Sequence, residues 1–386
     1  MEENRRTLNE TWLREVTALP TAAGYEDRVI AWVEAWVAHR PELAISRDEA
    51  GNMVIGANGS AGEPGVMFTA HLDHPAFVVE RTEGEGLEPG QFELSFRGGV
   101  RDAYFDEARI VLGYEGKRFR ATVNSATKPD PFRTVVATLD DPDARVHVAP
   151  GDLARWDLPD PDVIDGILHT HACDDLAALV AALAALDALR EANELGTTSV
   201  LLTRAEEIGF IGAIAACKHG TIPEGSRVIA LENSRSFAES PIGGGPIVRV
   251  GDRISTFSPT LTAAVAKVCE SIAKRRQESG DEPFRWQRKL MPGGACEASC
   301  FQAYGHEATC VCLPLGNYHN MANLDVVENA EPGWEAHAVP GREHIALRDF
   351  HGLVDLLIEA GKGLGDVETI EQKMEKLYDE RAFVLG

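Results

Sequence analysis

Residues 198–218 read TSVLLTRAEEIGFIGAIAACK. Residues 198–203 form a short apolar run suited to a buried strand. Residues 207–218 carry helical spacing, with Gly209 and Gly212 small enough to allow close packing. Two carboxylates, Glu206 and Glu207, fall where the strand hands over to the helix. In sheets covered by helices, that carboxyl edge is where sites form.

The same rhythm extends in both directions. Downstream, strands are expected at 227–231 and 309–313, and helices at 259–274, 348–362 and 368–380. Just upstream, residues 174–192 form a helix with Leu176, Leu179, Val180, Leu183 and Leu186 as its apolar stripe. Near the start, helices at 8–19 and 26–39 precede strands at 52–55 and 66–70. This alternation predicts an α/β fold, a sheet covered by helices. Residues 80–164 differ. Short β-type runs at 92–96, 109–112, 119–123, 134–138 and 145–148 are separated by Gly, Pro and Asp. They predict an inserted all-β domain, a small barrel or sandwich, within a catalytic domain made of 1–79 and 165–386.

Bulk properties narrow the function. The chain has 386 residues, 44% hydrophobic and 25% charged, so it is expected to fold around a large core with room for a second module. A formal net charge of −24 repels phosphate backbones and argues against nucleic acid as a partner. No apolar run is long enough to span a membrane, and the first ten residues, MEENRRTLNE, lack an apolar signal core. A cytoplasmic protein is expected. The seven cysteines are an odd set without secretory context, and are expected as buried free thiols.

Acids and histidines cluster at the predicted element ends. Strand 66–70 runs into His71 and Asp73 in AHLDH. The chain re-enters from the insert through HACDD, with Asp174 and Asp175 at a helix start. Strand 198–203 leads to Glu206 and Glu207, strand 227–231 to Glu232 in ALEN, and strand 309–313 to His319 in LPLGNYHN. Imidazole and carboxylate together suit a pair of divalent ions, zinc in the first place, with cobalt or manganese also accommodated. A carboxylate such as Asp174 can bridge two ions. Asp73 is placed to accept the free N–H of His71 and fix its tautomer. Glu206, adjacent to a ligand, is the natural general base and then the acid to a leaving amine. His169 and His171 flank the site in supporting or surface roles, and Arg235 is either a substrate contact or a surface ion pair.

These segments resemble the co-catalytic zinc aminopeptidases of the glutamyl-aminopeptidase type, which include the tetrahedral (TET) aminopeptidases. AHLDH, the inserted β-domain, CDDLAAL, AEEIGFIGA, ALEN and LPLGNYHN follow the order of that family over nearly the whole chain. The resemblance implies a mixed central sheet flanked by helices and removal of N-terminal residues from peptides. It implies one metal held by His71 and Glu232, a second held by Glu207 and His319, and Asp174 bridging them. Glu206 would be the base, and the Asp174–Asp175 peptide would be cis. It also implies a homo-oligomer, up to a dodecamer. The chain departs from the family pattern at His74, where an acid is usual, at Glu232, where Asp is commoner, and at Cys296 and Glu297 in place of Thr-Asp. A two-metal deacylase or carboxypeptidase, and a family member without catalysis, are the alternatives.

Overall fold

The computed structural model describes residues 2–60, 62–114, 117–330, 333–365 and 368–385. Helices α1 (Glu2–Val16) and α2 (Asp27–Ala38) lead into strands β1 (Leu43–Arg47), β2 (Met53–Ala57) and β3 (Val66–His71). A six-stranded excursion follows: β4 (Ala76–Arg81), β5 (Gln91–Arg97), β6 (Arg109–Tyr114), β7 (Lys117–Ala126), β8 (Arg133–Leu139) and β9 (Leu153–Trp156). Strands β10 (Asp162–Ile164) and β11 (Ile167–Thr170) return the chain to α3 (Leu176–Glu191). Then come β12 (Ser199–Thr203), α4 (Ile211–Lys218), β13 (Arg227–Arg235), β14 (Ile247–Gly251), α5 (Pro259–Ser279), β15 (Gln287–Leu290), α6 (Glu297–Ala303) and β16 (Glu307–Leu315). Helix α7 (Leu324–Glu328), strand β17 (Glu343–Ala346), α8 (Leu347–Lys362) and α9 (Ile370–Arg381) complete it.

The central sheet is mixed, in the order β1-β2-β12-β3-β13-β16-β14-β15. Its middle strands β12, β3, β13 and β16 run parallel. All six residues of β3 are buried, as expected where helices cover both faces. Helix α3 goes beyond its predicted stripe. Its intervening alanines are buried too, so it is apolar all round and lies inside the larger core against α8. The opposite face packs on α4 and α6, with Ala213, Ala216, Phe301 and four cysteines in a second core. The cysteines are free thiols; all are buried except the partly exposed Cys217.

The excursion closes into an antiparallel barrel, β4-β5-β8-β7-β6-β9, with no open edge. Phe77, Phe96, Phe105 and Trp156 fill it edge-to-face, with the Phe77 ring 4.8 Å from both Phe96 and Trp156. One expected strand, 145–148, does not form. Pro142 starts a 3₁₀ turn there, and the Asp141 carboxylate accepts from Asp143 N–H, so local capping wins over β propensity. The barrel is instead closed by β4 and β9, where no strand is expected from the sequence.

Two features position the site. Strand β17 joins β10 and β11 in a small separate sheet, pairing Glu343 with Thr170. Helix α4 starts at Ile211 rather than at residue 207, leaving a turn that holds Glu206 and Glu207. No helix among the described residues is long and apolar enough to cross a membrane.

Candidate active site

The parallel strands deliver their ends to one edge. His71 ends β3, level with Thr203 at the end of β12. Glu232 was expected just past its strand, but β13 continues to Arg235, paired with Leu315 of β16, so Glu232 projects from within a strand. Asp174 precedes α3, and the Asp174–Asp175 peptide is cis, as the resemblance implies. His319 sits in a 3₁₀ turn after β16 with φ +54°.

These side chains converge around Asp174. Its Oδ1 lies 3.4 Å from His71 Nε2 and its Oδ2 3.5 Å from His319 Nε2. Glu207 Oε2 is 3.3 Å from His319 Nε2, and Glu206 Oε2 is 3.9 Å from His71 Nε2. Two sets of donors lie within 4.8 Å of one another: His71, Asp174 and Glu232, and Asp174, Glu207 and His319. They share only Asp174. A third set joins His71 to Glu206 and Glu207.

The electrostatics call for added cations. Asp174, Asp175, Glu206, Glu232, Glu297 and Glu343 are all buried at or around this edge. Burial, reinforced by neighbouring carboxylates, pushes Glu206, Glu232 and Asp175 well above the ordinary carboxylate range. Burial likewise carries Glu297 and Glu343 up to about 7. Burial would raise Asp174 as well, but the facing imidazoles of His319 and His71 outweigh it and hold this group low. Burial would lower both histidines, yet Glu206 and Asp174 push His71 up, and Glu207 and Asp174 push His319 up. Asp174 Oδ1 and Glu207 Oε1 are buried without a hydrogen-bond partner. Buried carboxylates in excess, with orphaned oxygens aimed at imidazoles, are the donor set of a cation site. The residues present fit a divalent metal ion.

A shell of hydrogen bonds holds the donors. The Asp73 carboxylate accepts from the backbone N–H groups of Glu206 (2.9 Å) and Glu207 (3.1 Å). Its contact to His71 Nδ1 is longer, 3.6 Å, and that nitrogen lies 3.1 Å from the Asp73 carbonyl oxygen. Asp73 therefore anchors the acidic turn more directly than it anchors the imidazole. Buried Glu26 braces the same turn, accepting from Ala205 N–H and pairing with Arg204. Asn52 accepts from Arg204 N–H and donates to the Gly212 carbonyl. Glu343 accepts from three backbone N–H groups, those of Cys173, Asp174 and His319, at 2.7–3.0 Å. His74 packs behind, with Nδ1 2.5 Å from the Asp174 carbonyl oxygen and Nε2 3.1 Å from Asn320 Oδ1. Sequence reading passed over Glu26, Asn52 and Glu343. Their only local signal is a polar residue beside an apolar run, and their partners are far away in the chain.

A cavity of about 680 Å³ opens over the donors. Arg101 and Arg235 line it and pair with Glu328, and Arg235 also pairs with Asp325. Arg235 is thus an ion-paired residue of the cavity wall. Deeper, Arg249 is 2% exposed. Its Nη1 donates to Ser234 Oγ at 3.1 Å, while Nε is buried with no hydrogen-bond partner. The separate pair His169 and His171 does not join the site. His169 stacks on His344, and burial lowers His171 well below its ordinary range.

A search of the curated proteins finds no match. Among solved structures, a TET aminopeptidase from a marine sediment Thaumarchaeota archaeon is 18% identical, with a TM-score of 0.71 over 94% of this chain and 99% of that one. The Pyrococcus horikoshii TET1 peptidase is 19% identical, with a TM-score of 0.69 over 92% and 99%. An aminopeptidase from Desulfurococcus kamchatkensis is 20% identical, with a TM-score of 0.69 over 92% and 95%. At these identities the likeness speaks for the fold. The model of the M42 glutamyl aminopeptidase family matches residues 51–331, from β2 to beyond His319. With most of its length inside that match, this chain belongs to the M42 glutamyl aminopeptidase family and is a metal-dependent peptidase.

Proposed function

We propose that this chain removes N-terminal residues from peptides at a two-metal centre. The observation that carries the reading is the central position of Asp174, with one carboxylate oxygen toward His71 and the other toward His319. His71 and Glu232 would hold one ion, Glu207 and His319 the other, with Asp174 shared. Imidazole nitrogen mixed with carboxylate oxygen favours zinc, and cobalt or manganese also fits. When bound, such ions supply Lewis acidity and lower the pKa of water. Glu206 takes up the proton of the attacking water at its carboxylate and passes it to the leaving amine. Its burial, which raises its affinity for that proton, suits it to the transfer. Asp73 keeps Glu206 in place through the turn N–H groups and lies behind His71.

The cavity floor bears on the substrate. Arg101, Glu328 and Asp325 are exposed and mark the mouth, whereas Arg249 is buried, so a peptide enters past the first group and its leading side chain reaches toward the second. A buried guanidinium short of partners favours an acidic leading residue, which agrees with the family's name. In this reading the catalytic unit comprises 1–79 and 165–386, with 80–164 as the insert. Solved neighbours include a dodecamer and a peptidase that assembles into a tetrahedron or a large octahedral shell. A homo-oligomer, up to a dodecamer, is proposed here on that basis.

The test pairs metal analysis with peptides whose amino terminus is free or blocked. Two divalent ions per chain and cleavage of the free peptide alone are expected. Glu206→Gln should retain both ions and lose roughly 10²–10⁴-fold in kcat. Near-normal turnover in that variant would remove Glu206 from the mechanism, and preference for blocked peptides would replace the aminopeptidase by a deacylase. A chain that takes up no ion would be a member without catalysis.

A further inference from the structure

Helix α9 stands apart from the rest of the fold. Thr369 and Gln372 form a reciprocal capping box at its start, so its N-terminus is well defined. Yet every residue from Ile370 to Arg381 is exposed. Ile370, Met374, Leu377 and Tyr378 are 39–62% exposed and lie on one face, and Phe383, Val384 and Leu385 extend the apolar surface in the turn that follows. Twelve residues are at or below the ~12–15 at which an isolated helix becomes marginal in water, so this helix depends on something covering its stripe.

We propose that α9 is covered by α9 of a second copy of this chain, in antiparallel orientation. Ile370, Met374 and Leu377 follow the alternating four- and three-residue spacing of a coiled-coil seam, and Arg381 takes the next position. An antiparallel two-fold pairing sets Met374 of one copy against Leu377 of the other, and Ile370 against the aliphatic stem of Arg381. The same register brings Lys373 opposite Glu380, twice per pair because the contact is symmetric. Within the helix, Glu371, Glu375, Asp379 and Glu380 oppose Lys373, Lys376 and Arg381, four acids against three bases, a net charge of −1. The whole chain carries −24, which sets most of its surface against a second copy. The mixed-sign edges of α9 spare this helix that penalty and complement themselves.

Two helices about 18 Å long bury well below the ~1,200 Å² of a stable interface. The pairing therefore acts between copies already gathered in one particle, where effective concentration is high. In that respect it rests on the homo-oligomer proposed above.

The test is hydrogen–deuterium exchange over residues 370–381 in the full chain, with peptidase activity and sedimentation as controls. The wild-type helix is expected to be protected. Lys373→Glu sets like charges across the pair, and Glu380→Lys does the same with opposite sign. Each alone should lose at least ~10-fold in protection with activity unchanged. Co-expressing the two variants should restore protection, because each copy then meets its complement. Only pairing between chains produces that rescue. Protection retained in either single variant, no rescue in the mixture, or an unprotected wild-type helix would each overturn the proposal. Sedimentation as a monomer would instead refute the homo-oligomer.

Discussion

Glu297→Gln in metal-free protein should raise stability at pH 8 and change it much less at pH 5. Glu297 opens α6 and is 2% exposed. Its Oε2 lies 3.5 Å from Thr69 Oγ1, and its Oε1 is buried without a partner. Burial is the main cause that lifts this carboxyl from 4.5 to about 7, with Asp73 adding to it against the pull of His71. A raised carboxylate pKa means that the folded chain keeps a proton which the unfolded chain gives up. Stability is full below about 4.5 and is lost as pH rises through about 7. The gap from 4.5 to about 7, at ~1.36 kcal/mol per pH unit, amounts to about 3 kcal/mol by pH 8 and under about 1 kcal/mol at pH 5. Glutamine cannot ionise and removes this dependence, while its altered hydrogen bonding adds an offset equal at every pH. With ~2.1 cal/mol/K of unfolding entropy per residue over 386 residues, 3 kcal/mol corresponds to about 3–4 °C in Tm. Thermal melts at half-unit steps from pH 5 to 8, after dialysis against chelator, read it directly. A difference between variant and wild type that is constant across that range would refute a buried, protonated Glu297.

Two further substitutions probe the site's framework and its floor. A Cβ at Gly212 would lie 2.3 Å from Arg204 O and 2.5 Å from Arg204 N, so Gly212→Ala should cost ~1–3 kcal/mol in urea titrations and lower kcat by displacing the Glu206 turn; an unchanged midpoint would contradict the packing. Arg249→Met should reduce kcat/KM for peptides with a leading Glu or Asp by roughly 10²-fold or more while sparing those with a leading Ala or Leu, whereas an equal loss on both sets would make Arg249 a structural group.

The edge of the sheet was legible because its pattern is local. A ligand-type residue stands at the end of a buried strand or within four positions after it: His71 ends β3, Glu206 and Glu207 follow Thr203, and His319 follows Leu315. The barrel was legible as a change of rhythm, although the 145–148 run was overruled by the 3₁₀ turn that Pro142 starts, and β4 and β9 were not expected. Strand β14, which carries Arg249 and runs antiparallel to β16, left no expectation at all. It joins the sheet through its register against that distant strand.

By itself the amino-acid sequence determined the α/β class with its β insert, the family, and the set of acids and imidazoles available at the strand ends. Those properties follow from hydrophobic period and residue order, which are written along the chain. Tertiary structure alone decided which acids are buried and which of them face an imidazole, and hence that Glu206 is pushed up while Asp174 is held low. It assigned Asp73 to the backbone of the Glu206–Glu207 turn, brought Glu343 from the far end of the chain to Asp174 and His319, and set Arg249 on the cavity floor. Burial and long-range hydrogen bonding depend on which distant segments meet, and a carboxylate in solution carries the same letter as one sealed beneath a sheet.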